Sequence, residues 1–417
     1  MKLNKLIYGV LTIFAFSSCA DQMEYSEYNP YDAGYVKRTF YDVGGLVSNI
    51  YQSLDSDFGN YSGAILGSAT DESQYSYTGN AIETFYNGAW SPVNAQSSMW
   101  TSCYKAIANC NNYLEEFTGL TFSEYEQISD YEAEMYRYNN YQYEVRFLRA
   151  YFYFNLVRQY GDVPFTDHVL STTEVNTLTR KPAQEVFDWI IKDNLGALVP
   201  SGESAETGRA NKRTVLALKA RTALYAASPL FNSHQEGSQG YKELWYRAAK
   251  ANKELIETCE DAGMRLIDDY ENLWDAKSYS IAIDELIFGC RAIRATNSFE
   301  KYNFPVGLEN CRGGNCPTQT LVDAYELKDG GERPDKKADY DKNKPYYEGR
   351  DPRFEKTIAK NGDTKWPNWN ETALETYQGG ANAEPLSGGT PTGYYLKKYC
   401  QTSINTTTAK PTTDNHT

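Results

Sequence analysis

Apolar side chains recur at three- and four-residue steps up to about residue 260, which is the period of helices with one buried face. The clearest case is the segment 144–165, which reads EVRFLRAYFYFNLVRQYGDVPF. The positions that fall on one helical face are Phe147, Ala150, Tyr151, Phe154 and Val157. Gly161 is predicted to end this helix, and Pro164 is predicted to prevent it from resuming.

The same period predicts further helices that follow one another in pairs. They cover residues 39–54, 96–117, 132–160, 182–195, 211–227 and 241–260. Pro182 and Asn211 are typical residues at the start of a helix. One helix carries a face of mostly small side chains, made by Ala217, Ala220, Leu224 and Ala227. The pairs indicate tetratricopeptide-like packing with irregular spacing, in which stacked pairs bury a continuous core and carry loops on one side.

Two regions lack the helical period. Residues 55–94 form a loop region rich in Gly, Ser, Thr and Tyr, and surface loops of this kind commonly bear binding groups. Beyond Leu266, short apolar runs such as 285–288 alternate with polar connections rich in Gly and Asn. The predicted fold class is therefore mainly α, with a tetratricopeptide-like helix-pair scaffold, a large loop-rich insert and few short strands.

The N-terminus has the pattern of a bacterial lipoprotein signal. Two lysines precede an apolar run from Leu6 to Phe16, whose helical length of about 16 Å is well short of the ~30 Å hydrocarbon core of a bilayer. Small residues then precede Cys19, the position at which such signals are cut and acylated. The sequence predicts a signal peptide over 1–18, lipidation of Cys19 and a tether over 19–36. An ordinary secretory signal with an incidental cysteine is the alternative.

The charge and the aromatic content narrow the class of ligand. The chain has 41 basic and 55 acidic residues, and the formal net charge of -14 argues against nucleic acid or anionic lipid as a partner. It also has 36 tyrosines, whose rings can stack on a sugar face while the hydroxyl bonds to sugar oxygens. We assign most of these tyrosines to helix packing and the remainder to binding.

The chain lacks the sequence patterns of the common catalytic and metal sites. Its three histidines, His168, His234 and His416, are scattered, and there is no nucleophile elbow, phosphate-binding loop or dinucleotide fingerprint. A zinc site would require a second Cys or His pair at suitable spacing, and none is evident. The adjacent acids Asp71 and Glu72 are interpreted as solvated loop charges. We predict no catalytic residue, no metal and no cofactor.

The cysteines leave one question open. Cys103 and Cys110 lie on one predicted helix about 10 Å apart along its axis, which is beyond the reach of a disulfide. Cys311 and Cys316 flank the stretch 312–315, which we interpret as flexible. In an exported protein these two residues form either a loop disulfide or two free thiols.

Several segments together resemble one protein family. FLRAY, the aromatic run and YGDVP in 144–165 resemble the second helical repeat of the SusD/RagB family of glycan-binding outer-membrane lipoproteins. The spacing WxxxYxxIxxxN that starts at Trp100 resembles the first repeat of that family, and 241–260 resembles a helix of the third. CPTQTLVDAY at 316–325, RDPRF at 350–354 and GYYLKKY at 393–399 resemble landmarks of the family's insert.

The resemblance implies a SusD-like domain over 37–417, with helical repeats over about 37–265 and the insert over about 266–417. Family members continue with a further helical repeat, so the chain resembles a member shortened at its C-terminus. The implied function is noncovalent capture of an oligosaccharide and its delivery to a TonB-dependent transporter of the SusC type. The implied location is the outer membrane, with a lipid anchor and the domain facing the exterior. Alternatives are a surface glycoside hydrolase and a binder of peptides or other nutrients.

Loop aromatics outside the helical period are the candidates for ligand contact, because no helical core requires them. Each of the two loop regions contributes four candidates. The predicted ligand-binding residues are Tyr75, Tyr77, Trp90, Asn94, Tyr302, Phe304, Asn310 and Arg312. For Trp90 the alternative is packing beneath the loop.

Overall fold

The computed structural model describes residues 32–54, 61–96, 98–193, 208–274, 283–289, 292–295, 297–330, 347–407 and 413–416. The predicted signal 1–18, the lipidation site Cys19 and most of the tether 19–36 lie outside the described residues. The last part of the predicted tether forms a short helix, and Val36 at its end packs against the helical core.

Helices dominate the described residues, and most of them lie in the first two thirds of the chain. In chain order they are α1 (Ala33–Val36), α2 (Phe40–Tyr51), α3 (Trp100–Glu116), α4 (Tyr131–Tyr160), α5 (Thr172–Thr177), α6 (Ala183–Asp193), α7 (Lys212–Ala227), α8 (Gln239–Asp261), α9 (Ser298–Asn303), α10 (Gln319–Ala324) and α11 (Pro352–Thr357). Short 3-10 helices include Leu66–Ala69 and Ala81–Phe85 in the first loop region.

The strands of the described residues are short and pair antiparallel, two by two. They are β1 (Ser73–Tyr75), β2 (Val163–Pro164), β3 (Arg180–Lys181), β4 (Ala292–Ala295), β5 (Asn315–Pro317), β6 (Ile358–Ala359), β7 (Tyr395–Leu396) and β8 (Thr413–His416). The pairs are β1 with β5, β2 with β3, β4 with β8 and β6 with β7. The predicted fold class, a mainly α scaffold of helix pairs with a loop-rich insert and few short strands, is confirmed.

Helix α4 is the centre of the scaffold, because α2, α3 and α6 all pack against it. The predicted face is buried at Phe147, Ala150, Phe154 and Val157. The burial is wider than one face, since Leu148, Phe152, Tyr153 and Leu156 are buried as well. Neighbours therefore cover most of the second half of α4, and Arg158 marks its exposed side. The helix ends at Gly161, as predicted, with φ +69°.

Helices α7 and α8 form a close pair through small side chains. Asn211 caps α7 as predicted, because its side chain accepts a hydrogen bond from Thr214 N at 3.1 Å. Ala220 and Ala227 of the predicted small face are buried in a cluster with Ala248 and Ala251 of α8. Leu224 does not belong to that face, since its side chain is 43% exposed. Neighbouring positions on this helix differ in burial because α8 covers one side of it.

A buried polar contact connects the two segments whose sequences resemble the first and second helical repeats. The Arg149 guanidinium of α4 donates to Asn111 Oδ1 of α3 at 2.9 Å and to Asp167 O at 2.8 Å. Asn111 Nδ2 donates to His168 O at 2.8 Å, and the guanidinium lies 5.1 Å from the centre of the Trp189 ring. This contact fixes α3, α4 and the segment after β2 relative to one another.

The insert has a core of its own. Its buried members include Phe304, Cys316, Trp366, Tyr395 and Cys400. The RDPRF and GYYLKKY landmarks are structural parts of the insert. Phe354 is fully buried, and Tyr395 lies in β7 and donates a hydrogen bond from its hydroxyl to Asn382 O at 2.6 Å. Loop-rich sequence therefore folds here around a compact apolar centre.

Cys311 and Cys316 are free thiols in this insert. Burial raises the pKa of Cys316 to about 12 and that of Cys311 to about 11. Cys103 and Cys110 are both buried on α3. Among the helices of the described residues, none is long and apolar enough to cross a membrane.

The state of the two insert thiols can be tested by mass spectrometry. We expect iodoacetamide to alkylate both Cys311 and Cys316 after unfolding in urea without reductant, and to alkylate Cys316 slowly in the native protein, because the reactive thiolate is scarce at high pKa. A peptide in which the two cysteines are crosslinked before reduction would contradict the free-thiol structure.

The Arg149→Met variant tests the buried contact between the repeats. Loss of the guanidinium leaves Asn111 Oδ1 and Asp167 O without this donor inside the protein, and we expect destabilisation on the order of 2–3 kcal/mol. The measurement is the urea midpoint of unfolding. Arg158→Met on the exposed side of the same helix is the control and should change stability by less than about 0.5 kcal/mol. Equal midpoints for the two variants would contradict a structural role for Arg149.

Candidate ligand-binding surface

The pairing of β1 with β5 joins the two loop regions that carry the predicted site. Tyr75 lies opposite Asn315 in this antiparallel ladder. The contact continues past the strands, since Ser76 N donates to Gly314 O at 2.8 Å. The structure therefore brings together two segments that are far apart in sequence.

The amide of Asn315 holds this junction together from inside. Its Nδ2 donates to Gly63 O at 2.9 Å and to Asn303 Oδ1 at 2.7 Å, and its Oδ1 accepts from Ile65 N and Ser68 Oγ, both at 2.9 Å. The residue is completely buried. One side chain thus connects the first loop region, α9 and β5, with the full capacity of an amide in use.

Sequence reasoning missed Asn315 and interpreted its surroundings as flexible. The stretch 312–315 is instead held by backbone hydrogen bonds to α9 and its C-terminal end, with Gly313 N donating to Phe304 O at 2.8 Å. An Asn next to two glycines has the composition of a loop, and three of its four hydrogen-bond partners lie about 250 positions away. The sequence carries no local signal for such a contact.

Three of the predicted aromatic residues and the predicted arginine lie side by side above this junction. The ring centres of Tyr75 and Tyr77 are 5.9 Å apart, and the Tyr77 hydroxyl donates to Arg312 O at 2.9 Å. The Arg312 guanidinium lies 5.2 Å from the centre of the Tyr302 ring. Tyr75 is buried, whereas Tyr77 and Tyr302 are half-buried and Arg312 is exposed.

Two glycines allow these rings to approach the backbone. A Cβ at Gly63 would lie 2.6 Å from the Tyr75 hydroxyl and 2.7 Å from the Tyr302 ring, and the φ of Gly63 is +99°. A Cβ at Gly314 would lie 2.6 Å from both Tyr302 O and the Tyr75 ring. Real Cβ atoms do not come so close to other heavy atoms, so glycine is required at both positions.

Trp90 stands at the edge of the same group of rings. Its side chain is 56% exposed and contacts Phe85 edge-on, with ring centres 5.4 Å apart. Phe85 in turn contacts Tyr61 at 5.4 Å, and both pack on the small core formed by Ala64, Tyr75 and Ile82. Trp90 is therefore supported from below by one ring and open to solvent above. The exposure argues against the alternative that it packs beneath the loop.

We call Tyr61, Tyr77, Phe85, Trp90, Tyr302 and Arg312 the aromatic surface. Asn94 supports it indirectly, because Asn94 Nδ2 donates to Ala89 O at 2.8 Å and closes the turn that carries Trp90. Asn310 is engaged with another segment, because its Nδ2 donates to Thr406 O at 3.2 Å. Tyr86, which the sequence reasoning did not select, lies next to Phe85 and is 57% exposed.

Phe304 requires a correction. It was selected as a loop aromatic, but its side chain is completely buried and packs edge-on against Trp366, with ring centres 5.5 Å apart. A buried ring offers no face to a ligand. Its role is in the core of the insert, which the helical period did not reveal.

Tyr75 and Tyr77 carry neutral, hydrogen-bonding phenols at physiological pH. Burial, followed by the neighbouring Tyr302 and Tyr77, raises the pKa of Tyr75 to about 12, against the opposing effect of Arg312. Burial likewise raises the pKa of Tyr77. The acids Asp71 and Glu72 are exposed beside β1, in agreement with solvated loop charges. No group of three or more His, Cys, Asp or Glu in the described residues is arranged to hold a metal.

Two family models match the chain. One, described as starch-binding and associated with the outer membrane, matches residues 25–224, and the other, described as the SusD family, matches residues 285–417. The chain belongs to the SusD/RagB family. Among curated SusD-like relatives, a protein of Bacteroides ovatus is 23% identical over 290 residues, which cover 66% of this chain and 47% of that protein. SusD-like protein P2 of Formosa agariphila is 26% identical over 183 residues, or 43% of this chain and 31% of that protein. The chain thus spans less than half the length of these relatives.

Solved structures share the fold of this SusD/RagB member. A SusD-like protein of Bacteroides fragilis superimposes with a TM-score of 0.69 at 22% identity, over 91% of this chain and 72% of that one. A SusD-like carbohydrate-binding protein of the same species gives 0.68 at 20% identity, over 91% and 71%. A laminarin-binding SusD-like protein gives 0.58 at 19% identity, over 90% and 76%. At these identities the likeness establishes the fold.

The Gly314→Ala variant tests the junction beneath the aromatic surface. The new methyl group would collide with Tyr302 O and the Tyr75 ring, so we expect the β1–β5 contact to loosen and the thermal midpoint to fall by several degrees. Gly45→Ala in α2 is the control, because a Cβ there meets nothing within 4 Å and alanine favours a helix. An unchanged midpoint for Gly314→Ala would show that this close approach does not exist in solution.

Proposed function

We propose that the aromatic surface is the site at which this protein captures an oligosaccharide, without covalent chemistry. The observation that carries the proposal is the β1–β5 junction, because it unites loop aromatics from two distant segments and leaves Trp90 more than half exposed. The family description and the carbohydrate-binding neighbours support a glycan ligand.

The chemistry of the surface suits a sugar. A pyranose has an apolar C–H face and a rim of hydroxyls, so it needs a flat ring to lie on and polar groups at the edge. The open side of Trp90 supplies a ring, and the half-buried Tyr77 and Tyr302 supply rings with hydroxyls. The rings are held by their neighbours, which lowers the entropy lost when a ligand binds.

The wider role that we propose follows the family. The domain over 37–417, with its repeats over about 37–265 and insert over about 266–417, would be tethered to the outer membrane through acylated Cys19 and face the exterior. It would pass its ligand to a TonB-dependent transporter of the SusC type. The description of the first family model as associated with the outer membrane supports this location.

We propose a binding protein rather than an enzyme. Two of the solved structures with this fold are named for carbohydrate or laminarin binding. The adjacent acids Asp71 and Glu72 beside β1 are exposed neighbours rather than a pair facing each other across a cleft. Incubation of the purified chain with labelled laminarin and starch oligosaccharides should release no shorter product. Release of product would favour the glycoside hydrolase alternative. Parallel glycan and peptide arrays separate a glycan binder from a peptide binder.

The Trp90→Ala variant tests the site directly. Removal of an exposed stacking ring should weaken oligosaccharide binding about tenfold, which corresponds to ~1.4 kcal/mol, and leave the melting temperature within about a degree. Affinity is measured by calorimetry with the best array ligand, and stability by thermal unfolding.

Phe304→Ala provides the matched contrast for this experiment. Its ring is buried in the insert core, so its loss should destabilise the protein by about 3–5 kcal/mol. If Trp90→Ala lowers the melting temperature as much as Phe304→Ala and leaves affinity unchanged, the indole is a core residue and the proposed site is wrong.

A further inference from the structure

Arg312 differs from the structurally engaged arginines of this protein. Arg350 is buried and forms an ion pair with Asp323, and Arg209 pairs with the buried carboxylate of Glu144. Within the described part of the chain, the Arg312 guanidinium is exposed and forms no ion pair, although acidic residues outnumber basic ones. A permanently charged group beside three tyrosines therefore has its carboxylate-binding edge available.

The backbone beneath Arg312 is fixed. Arg312 N donates to Lys301 O at 2.8 Å, Gly313 N donates to Phe304 O at 2.8 Å, and the carbonyl of Arg312 accepts from the Tyr77 hydroxyl at 2.9 Å. The guanidinium lies over the Tyr302 ring at 5.2 Å, so one face is occupied by an aromatic partner. These contacts position the arginine before a ligand arrives, which reduces the cost of ordering it.

A neutral sugar makes limited use of such a group. The tyrosine hydroxyls already supply donors and acceptors for sugar hydroxyls, whereas a guanidinium matches the two oxygens of a carboxylate or sulfate and binds them more strongly than neutral partners do. The net charge of -14 repels anions at a distance, but at physiological salt this repulsion is screened beyond about 8 Å. When a ligand touches the aromatic surface, the charge of the Arg312 guanidinium therefore has a larger effect on an anionic group than the net charge of the protein.

We propose that the aromatic surface selects acidic oligosaccharides, with Arg312 as the residue that binds a uronate carboxylate or a sulfate ester of the ligand. The inference rests on the proposed function and specifies its ligand class. Tyr302 holds the guanidinium in place, and Tyr77 and Trp90 supply the rings on which neighbouring sugar units stack.

The test uses the purified chain and pairs of probes that differ in charge. Oligogalacturonides are compared with their methyl esters, and dextran sulfate oligosaccharides with dextran oligosaccharides of the same length, all in 150 mM salt, next to a general glycan array. We expect at least tenfold tighter binding of the charged member in one pair. The pair that responds identifies carboxylate or sulfate as the recognised group.

Variants connect that preference to Arg312. Arg312→Gln should abolish the preference for the charged member, because binding of the charged member weakens far more than binding of the neutral member, and Arg312→Lys should retain part of the preference. Arg158→Gln, an exposed arginine on α4, should behave as the unaltered protein. Thermal unfolding of each variant checks that the fold is intact.

The outcomes separate this inference from the function on which it rests. Tight binding of neutral glycans with no preference for charge would overturn the acidic ligand class and leave oligosaccharide capture standing. A preference for charge that survives in Arg312→Gln would overturn the role of Arg312. If the protein binds none of the probes and no glycan on the array, both the inference and the proposed function are wrong.

Discussion

The aromatic surface depends on one buried amide. Asn315 uses both of its donors and accepts two hydrogen bonds, and its partners belong to three separate segments of the chain. In a dry environment each of these groups would cost free energy if left unsatisfied, so the four bonds form together or not at all. They set the position of β5 against β1, and hence of Arg312 against Tyr77. Ligand contacts from two distant loops are possible because this internal contact is complete.

The helical scaffold and the insert are each stabilised by a hydrophobic core of their own. Around α4, apolar side chains are buried on most sides of the helix, and the Arg149 contact connects two helices to the segment after β2. The insert is stabilised by its own core around Phe304 and Tyr395, and by the edge-on contact of Trp274 with Tyr399. These two cores are formed without the exposed rings of the first loop region, so those rings can contact a ligand.

The helices were predictable because their signal is local. A period of 3.6, a glycine such as Gly161 and a cap such as Asn211 specify a helix from neighbouring residues. The candidate site was predictable in part, since Tyr75, Tyr77, Tyr302 and Arg312 do lie together. Phe304 was misassigned because the rule that loop aromatics are free of core duties fails when loops form a core from residues about 60 positions apart. Asn315 escaped notice for the same reason: its environment is created by distant contacts.

The exposure of Trp90 is a feature of the aromatic surface that folding does not explain. A tryptophan buries up to about 250 Å² in a core, so a side chain that stays 56% exposed forgoes more than 100 Å² of burial. At about 25 cal/mol per Å², the unrealised stabilisation is on the order of 3 kcal/mol, a large share of the stability of a typical domain. Phe85 beneath it shows that apolar neighbours are within reach. Trp90 lies on the same small core as Tyr77, next to the junction that positions Arg312. A ligand bound there would bury the exposed indole, which explains why the ring remains exposed in the free protein.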